Sequence, residues 1–200
     1  MKNQQIVLFL LLTSFVACDW VEKKIVIDNP SSRSVRIAID DKNIELAAGE
    51  SKKVMVRFGK QSVQVDNGPS EEIYLDSEHD YLLNPTRATY YVEDVMFFRS
   101  RKAEKEYNRY NKGSIVEGYQ VPGKFEKIEG QLLLKKNWRF GIGERASSEM
   151  YIDSPLQRQS YSFRKLHRAA KLRQQYSDDL LKALREGMTN KRMETAESPK

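Results

Sequence analysis

Few of the residues that can attack, ligate or carry a proton stand near a suitable partner in this 200-residue chain. Its single cysteine, Cys18, rules out an intrachain disulfide and any two-cysteine metal or redox motif. The two histidines, His79 and His167, lie in different regions, and neither has a second His or Cys at zinc-ligand spacing. Serine catalysis needs a histidine and a strained nucleophile turn, and no G-x-S-x-G occurs. Gly141-Ile142-Gly143-Glu144-Arg145-Ala146 fits the degenerate dinucleotide pattern G-x-G-x-x-A, but no βαβ pattern surrounds it. Asp76-Ser77-Glu78-His79-Asp80 alternates oxygens as a calcium loop does, with Tyr81 where the sharp-turn glycine belongs and Arg87 where the bidentate glutamate belongs. It reads as a loop of solvated charge. The 28 acidic residues leave a carboxylate-pair hydrolase open, because only folding would bring such a pair together. The expectation is a protein that is not an enzyme, with no catalytic residue, no metal and no cofactor.

What Cys18 can do follows from the segment it closes. The amino terminus and Lys2 make a short basic start, Ile6 to Leu12 an apolar run, Thr13-Ser14 a polar break, and Ala17 a small residue directly before the cysteine. The apolar stretch from Ile6 to Val16 is about half of the ~20 residues that cross ~30 Å of hydrocarbon, which argues against a permanent transmembrane helix. Ordinary secretory cleavage after Ala17 would want a small residue three positions before the cut as well, and Phe15 stands there. The run Phe15-Val16-Ala17-Cys18 resembles the lipobox of bacterial lipoproteins, with Phe15 where leucine is usual. That resemblance implies a signal peptide over residues 1–17 and a Cys18 that begins the mature chain, carrying a thioether diacylglycerol and an amide-linked acyl chain such as palmitate. It also implies a membrane anchor in the bacterial cell envelope, with the domain facing the periplasm or the exterior, since each buried methylene adds ~0.8 kcal/mol. Asp19 implies inner-membrane retention in the enteric members of the class and leaves inner versus outer membrane open for others.

Beyond a short linker at 18–22, the chain must fold on its core, because no disulfide can staple it. Its 40% hydrophobic and 31% charged residues suit a folded domain. From Lys23 to Phe98 apolar residues alternate with polar ones, and turn residues recur at short intervals. Lys23 to Asp28 ends at Asn29-Pro30-Ser31-Ser32; Val35, Ile37 and Ile39 share a face; Ile44 to Leu46 follows Asp40-Asp41-Lys42-Asn43. Val54, Val56 and Phe58 share the next face, Gly59-Lys60 turns, Val63 and Val65 resume, and Ile73 to Leu75 and Tyr90 to Phe98 supply further strands. Such short strands predict a mainly β fold, an antiparallel β-sandwich or small barrel. The order of strand, Asn-Pro turn and "RIAIDDKNIELAAGESKKVMVRFGKQSVQV" resembles the PEGA-like and transthyretin-like modules of bacterial envelope proteins, which implies a structural or binding role. An echo also links Ile27-Asp28-Asn29-Pro30-Ser31 to Leu82-Leu83-Asn84-Pro85-Thr86, in which Asn before Pro begins a turn that sets the next strand's register.

The β domain is expected over 23–154, with a short helix near 99–112, a strand pair at Lys124 to Ile128 and Gln131 to Leu134, and a strand around Trp138 to Ile142. From Ser162 to Met188 steps of three and four join Leu166, Ala169, Tyr176, Leu180 and Leu184, predicting an amphipathic C-terminal α-helix over 155–188, with Gly187 as its stop and a disordered tail at 189–200. Residues 155–200 hold 11 basic and 5 acidic side chains, which accounts for the whole net charge of +6. Arg164, Lys165, Arg168, Lys171 and Arg173 are the candidates for contact with an anionic surface, while the same charges could be a solvated face. The expected role is a non-catalytic envelope accessory or binding module for a protein or acidic-polymer partner, with nucleic acid out of reach of an exported chain. Two alternatives stay open: a small-ligand or glycan binder with an aromatic groove among Tyr90, Tyr91, Tyr107, Tyr110 and Tyr119, and the carboxylate-pair hydrolase.

Overall fold

The computed structural model describes residues 21–98, 100–144, 160–180 and 182. Cys18 with the signal peptide, residues 145–154 of the expected β domain, the helix beyond Lys182 and the tail at 189–200 lie outside the described residues. Along the chain run β1 (Glu22–Asp28), β2 (Val35–Ile39), β3 (Lys42–Leu46), β4 (Ser51–Arg57), β5 (Gly59–Val65), β6 (Ser70–Leu75), β7 (Tyr81–Leu83), β8 (Tyr90–Phe98), α1 (Arg101–Tyr110), β9 (Ser114–Val116), β10 (Tyr119–Val121), β11 (Lys124–Ile128), β12 (Leu133–Lys135), β13 (Ser160–Arg168) and α2 (residues 169–180). The fold is mainly β, with several antiparallel sheets and a short C-terminal helix.

Three apolar layers hold the sheets together. The antiparallel sheet β3-β2-β5-β6 packs on one face of the sheet β12-β7-β1-β4, burying Ile25, Ile27, Val35, Ile37, Ile39, Leu46, Val56, Val63, Leu75 and Leu83 between them. These are the alternating positions of each strand, as a period of two requires. On the other face of the second sheet, Leu82 and Leu134, with Trp138 just beyond β12, meet Tyr90, Val92 and Leu166 of the sheet β11-β8-β13. That third sheet buries its far side too, where Tyr91 packs with Val116 and Val121 of the β9-β10 hairpin and with Ala169 and Leu172 of α2. Strands β7 and β8 therefore lie between two layers. Tyr81-Leu82-Leu83 and Tyr90-Tyr91-Val92 are buried without interruption, so neither stretch alternates.

One pairing in the second sheet is parallel, β1 with β7 in the register Val26↔Leu82 and Ile27↔Leu83. Both strands end on a buried asparagine before proline. The Asn29 amide donates to the carbonyls of Arg33 and Ala47, and its carbonyl accepts from Ser31 N–H. The Asn84 amide donates to the carbonyls of Ala88 and Gln131, and its carbonyl accepts from Ala88 N–H. Each asparagine thus bonds four residues ahead and ties its turn to a second segment, so the echo in the sequence is an echo in structure.

Three expectations are corrected. Ser160–Arg168 is a strand paired along its whole length with β8, and α2 begins only at Ala169. Phe163 and Leu166 are both buried, and their spacing of three imitates a helix; as residues of opposite parity they face opposite sides of a sheet that is covered on both. The strand pair expected at 124–134 separates as well: β11 joins β8 and β12 joins β7. Near Trp138–Ile142 the strand reduces to a single bridge of Phe140 to Lys165. The short helix near 99–112 is α1, capped by the Ser100 hydroxyl accepting from Ala103 N–H.

Candidate functional site

The five basic residues singled out in the C-terminal part do not gather into one patch. Arg164 on β13 faces carboxylates of its own sheet, with Nε 3.3 Å from Asp94 Oδ1 and a guanidinium nitrogen on Glu126. Arg173 on α2 clasps Glu117, which also accepts from the Tyr91 hydroxyl at 3.1 Å. The Arg173 guanidinium is the main reason the Glu117 carboxyl lies below its usual range. Lys165 is half-buried and Lys171 exposed.

Arg168 goes inward. Its Nε and Nη2 lie 3.1 and 2.5 Å from the two oxygens of Asp28, a carboxylate with no exposed surface. The Tyr90 hydroxyl donates to Asp28 Oδ2 at 2.5 Å, and the Ser51 hydroxyl donates to Oδ1. Arg168 also donates to the Gly49 carbonyl at 2.9 Å. Burial first, and the Asp28 charge second, push the Tyr90 hydroxyl far above its ordinary range, so it stays a neutral donor. Four donors on one carboxylate, supplied from β4, β8 and β13, leave this group satisfied and closed to chemistry. It is a clamp between the second and third sheets.

An open site exists where the second apolar layer reaches the surface. A cleft of about 210 Å³ lies between the β4 edge and the chain after β12, lined by Val26, Tyr81, Leu82, Trp138 and Ile142 and rimmed by Ser51, Lys52, Lys53, Lys136, Gly141 and Glu144. Lys53 stands directly across from Val26 in the β1–β4 register. Lys52 and Lys53 form no ion pair with the other described residues, whereas Lys136 lies 3.6 Å from Asp80. Glu144 Oε2 accepts from Gly141 N–H at 2.7 Å, which fastens that carboxylate to its own loop. A half-enclosed apolar floor beside the unpaired Lys53 ammonium can take up an anion with an apolar part. The sequence signal for it was thin: two consecutive lysines on an edge strand, and a Trp138 read only as a strand residue.

The other sequence candidates settle differently. The loop from Asp76 to Asp80 is an internally bonded turn in which Asp76 accepts from the backbone N–H of Glu78 and His79 and meets the His79 ring at 2.9 Å. Burial alone would raise Asp76; bonds from His79 and Tyr81 outweigh it and hold the carboxyl well below its usual range. His167 pairs with Glu93 at 2.7 Å beneath α2, where burial pushes the Tyr176 hydroxyl up to about 12. Tyr90 and Tyr91 are core residues and Tyr119 packs beside Tyr176, while Tyr107, against Phe98, and the exposed Tyr110 line an open hollow of about 460 Å³, so the five tyrosines share no single groove. Gly141 and Glu144 of the G-x-G-x-x-A match lie on the cleft rim, with no long helix among the described residues after them. Among the described residues no helix is long and apolar enough to cross a membrane, and no three His, Cys, Asp or Glu cluster as metal ligands. Comparison with known proteins finds no matching family model, no matching curated protein and no matching solved structure.

Proposed function

We propose that the chain is a lipid-anchored envelope protein, held through Cys18, whose β domain is a non-catalytic binding module for an acidic partner. The observation that carries the binding role is the contrast among the cations. Arg164, Arg168 and Arg173 are neutralised by carboxylates of the same chain, while Lys52 and Lys53 stand without ion pairs on the edge strand β4, Lys53 on the face of an apolar cleft. Lys165 and Lys171 carry no ion pair among the described residues either, but neither lines the apolar cleft, so recognition of an acidic partner is assigned to β4, where free charge and apolar surface adjoin. The anchor rests on the lipobox-like Phe15-Val16-Ala17-Cys18.

Two measurements test the reading. Full-length protein and its Cys18→Ala variant are expressed in a bacterium, membranes are fractionated and the intact mass of the mature chain is taken. The expected result is a chain starting at Cys18 with added acyl groups, and a variant that is unprocessed or released; an unacylated wild type in the soluble fraction overturns the anchor. For the binding role, dextran sulfate is titrated in rising salt. Lys52→Glu/Lys53→Glu is expected to weaken the complex at least tenfold and Lys171→Glu to leave it unchanged, while equal losses from both variants overturn the assignment to β4.

A further inference from the structure

Building on the reading of the β domain as a binding module, we infer that the cleft beside Lys53 binds a small amphipathic monocarboxylate, its apolar body on Val26, Leu82, Trp138 and Ile142 and its carboxylate at the Lys53 ammonium. The floor is the open end of a core. Leu82 and Trp138 belong to the second apolar layer and are buried, while Val26 and Ile142 of the same cluster keep part of their surface in water. An apolar body in the cleft completes that layer and removes the remaining apolar surface from water.

Size and charge narrow the ligand. A volume of about 210 Å³ is below the ~300–1,000 Å³ of clefts that enclose drug-sized molecules. Lys53, directly across from Val26 on the cleft face of β4, forms no ion pair among the described residues, and its long stem lets the charged head follow a carboxylate. Glu144, held by Gly141 N–H, faces the same space. A second carboxylate on the ligand would meet it, and the cleft therefore selects one negative charge over two.

The test uses the full chain carrying Trp20→Phe, which leaves Trp138 of the two tryptophans as the reporter in the cleft. Fluorescence of Trp138 is followed with 4-phenylbutyrate and with the isosteric, uncharged 4-phenylbutanamide. The carboxylate is expected to bind at least tenfold more tightly, and Lys53→Glu to erase the difference. Glu144→Gln, which keeps an acceptor for Gly141 N–H, is expected to tighten binding of the dianion 4-(4-carboxyphenyl)butanoate at least threefold. Equal affinity for the carboxylate and the amide in the chain with both lysines overturns the inference without relying on any cleft variant. If dextran sulfate still binds through Lys52 and Lys53 in that case, the binding-module reading survives alone; if neither anion binds, both fall.

Discussion

At the scale of single residues, the deciding interactions are those of charges that folding takes out of water. Asp28 follows the apolar run Ile25-Val26-Ile27, and it is tolerable there because Arg168, Tyr90 and Ser51 all donate to it. Removing one partner of such a pair strands the other. Arg168→Met is expected to cost about 3–5 kcal/mol in urea denaturation, whereas Arg173→Met, whose guanidinium is mostly exposed, is expected to shift the urea midpoint far less. Glu117 gives a pH dependence with a definite sign. The Arg173 guanidinium holds its folded carboxyl below the ordinary carboxylate range, so above that range the bond stabilises fully, and the contribution is lost as pH falls through the lowered folded value. The urea midpoint of the wild type should accordingly fall more steeply between pH 5 and pH 2 than that of Glu117→Gln; parallel curves would remove Glu117 from the acid response.

At the scale of elements, burial on one face or on two decides what a strand looks like in sequence. β2 to β6 present one apolar face each, and their alternation was legible; β8 and β11 were placed at their observed bounds. β7 is short and buried on both sides, and no alternation marked it. β13 failed for the same reason, because apolar residues of opposite parity, three apart, reproduce half of a helical stripe. Leu166→Ala is expected to cost about 2–5 kcal/mol, as befits a fully buried strand residue, while Leu180→Ala, half-exposed on α2, should stay within about 0.5 kcal/mol; urea midpoints of the two variants read the contrast. In the β9-β10 hairpin, Gly113 has φ of +76°, and a Cβ there would stand 2.2 Å from the Val121 carbonyl oxygen. Gly113→Ala should therefore destabilise the protein by more than the ~1 kcal/mol of an ordinary glycine replacement, seen as a lowered melting temperature.

At the scale of the whole molecule, the sheets are not independent units, because the last strand reaches the first. Arg168 of β13 bonds Asp28 of β1, and Leu166 of β13 shares a layer with Leu82 of β7. Far-UV dichroism and Trp138 fluorescence, read in the Trp20→Phe background, should report one coincident unfolding transition, and Arg168→Met should move both together; a shift in one probe alone would show separable layers. Sequence by itself determined the mainly β class, most single-face strands, the turn-setting asparagines and the expectation of an anchored chain, since each of these rests on residues close together along the chain. Tertiary structure alone decided which cations are free. Arg168 and Asp28 are 140 residues apart, and nothing local distinguishes a guanidinium that folding will bury against a carboxylate from one that it will leave in solvent. The same holds for the cleft, whose floor and rim come from β1, β4, β7 and the segment after β12 and meet only when the second layer closes.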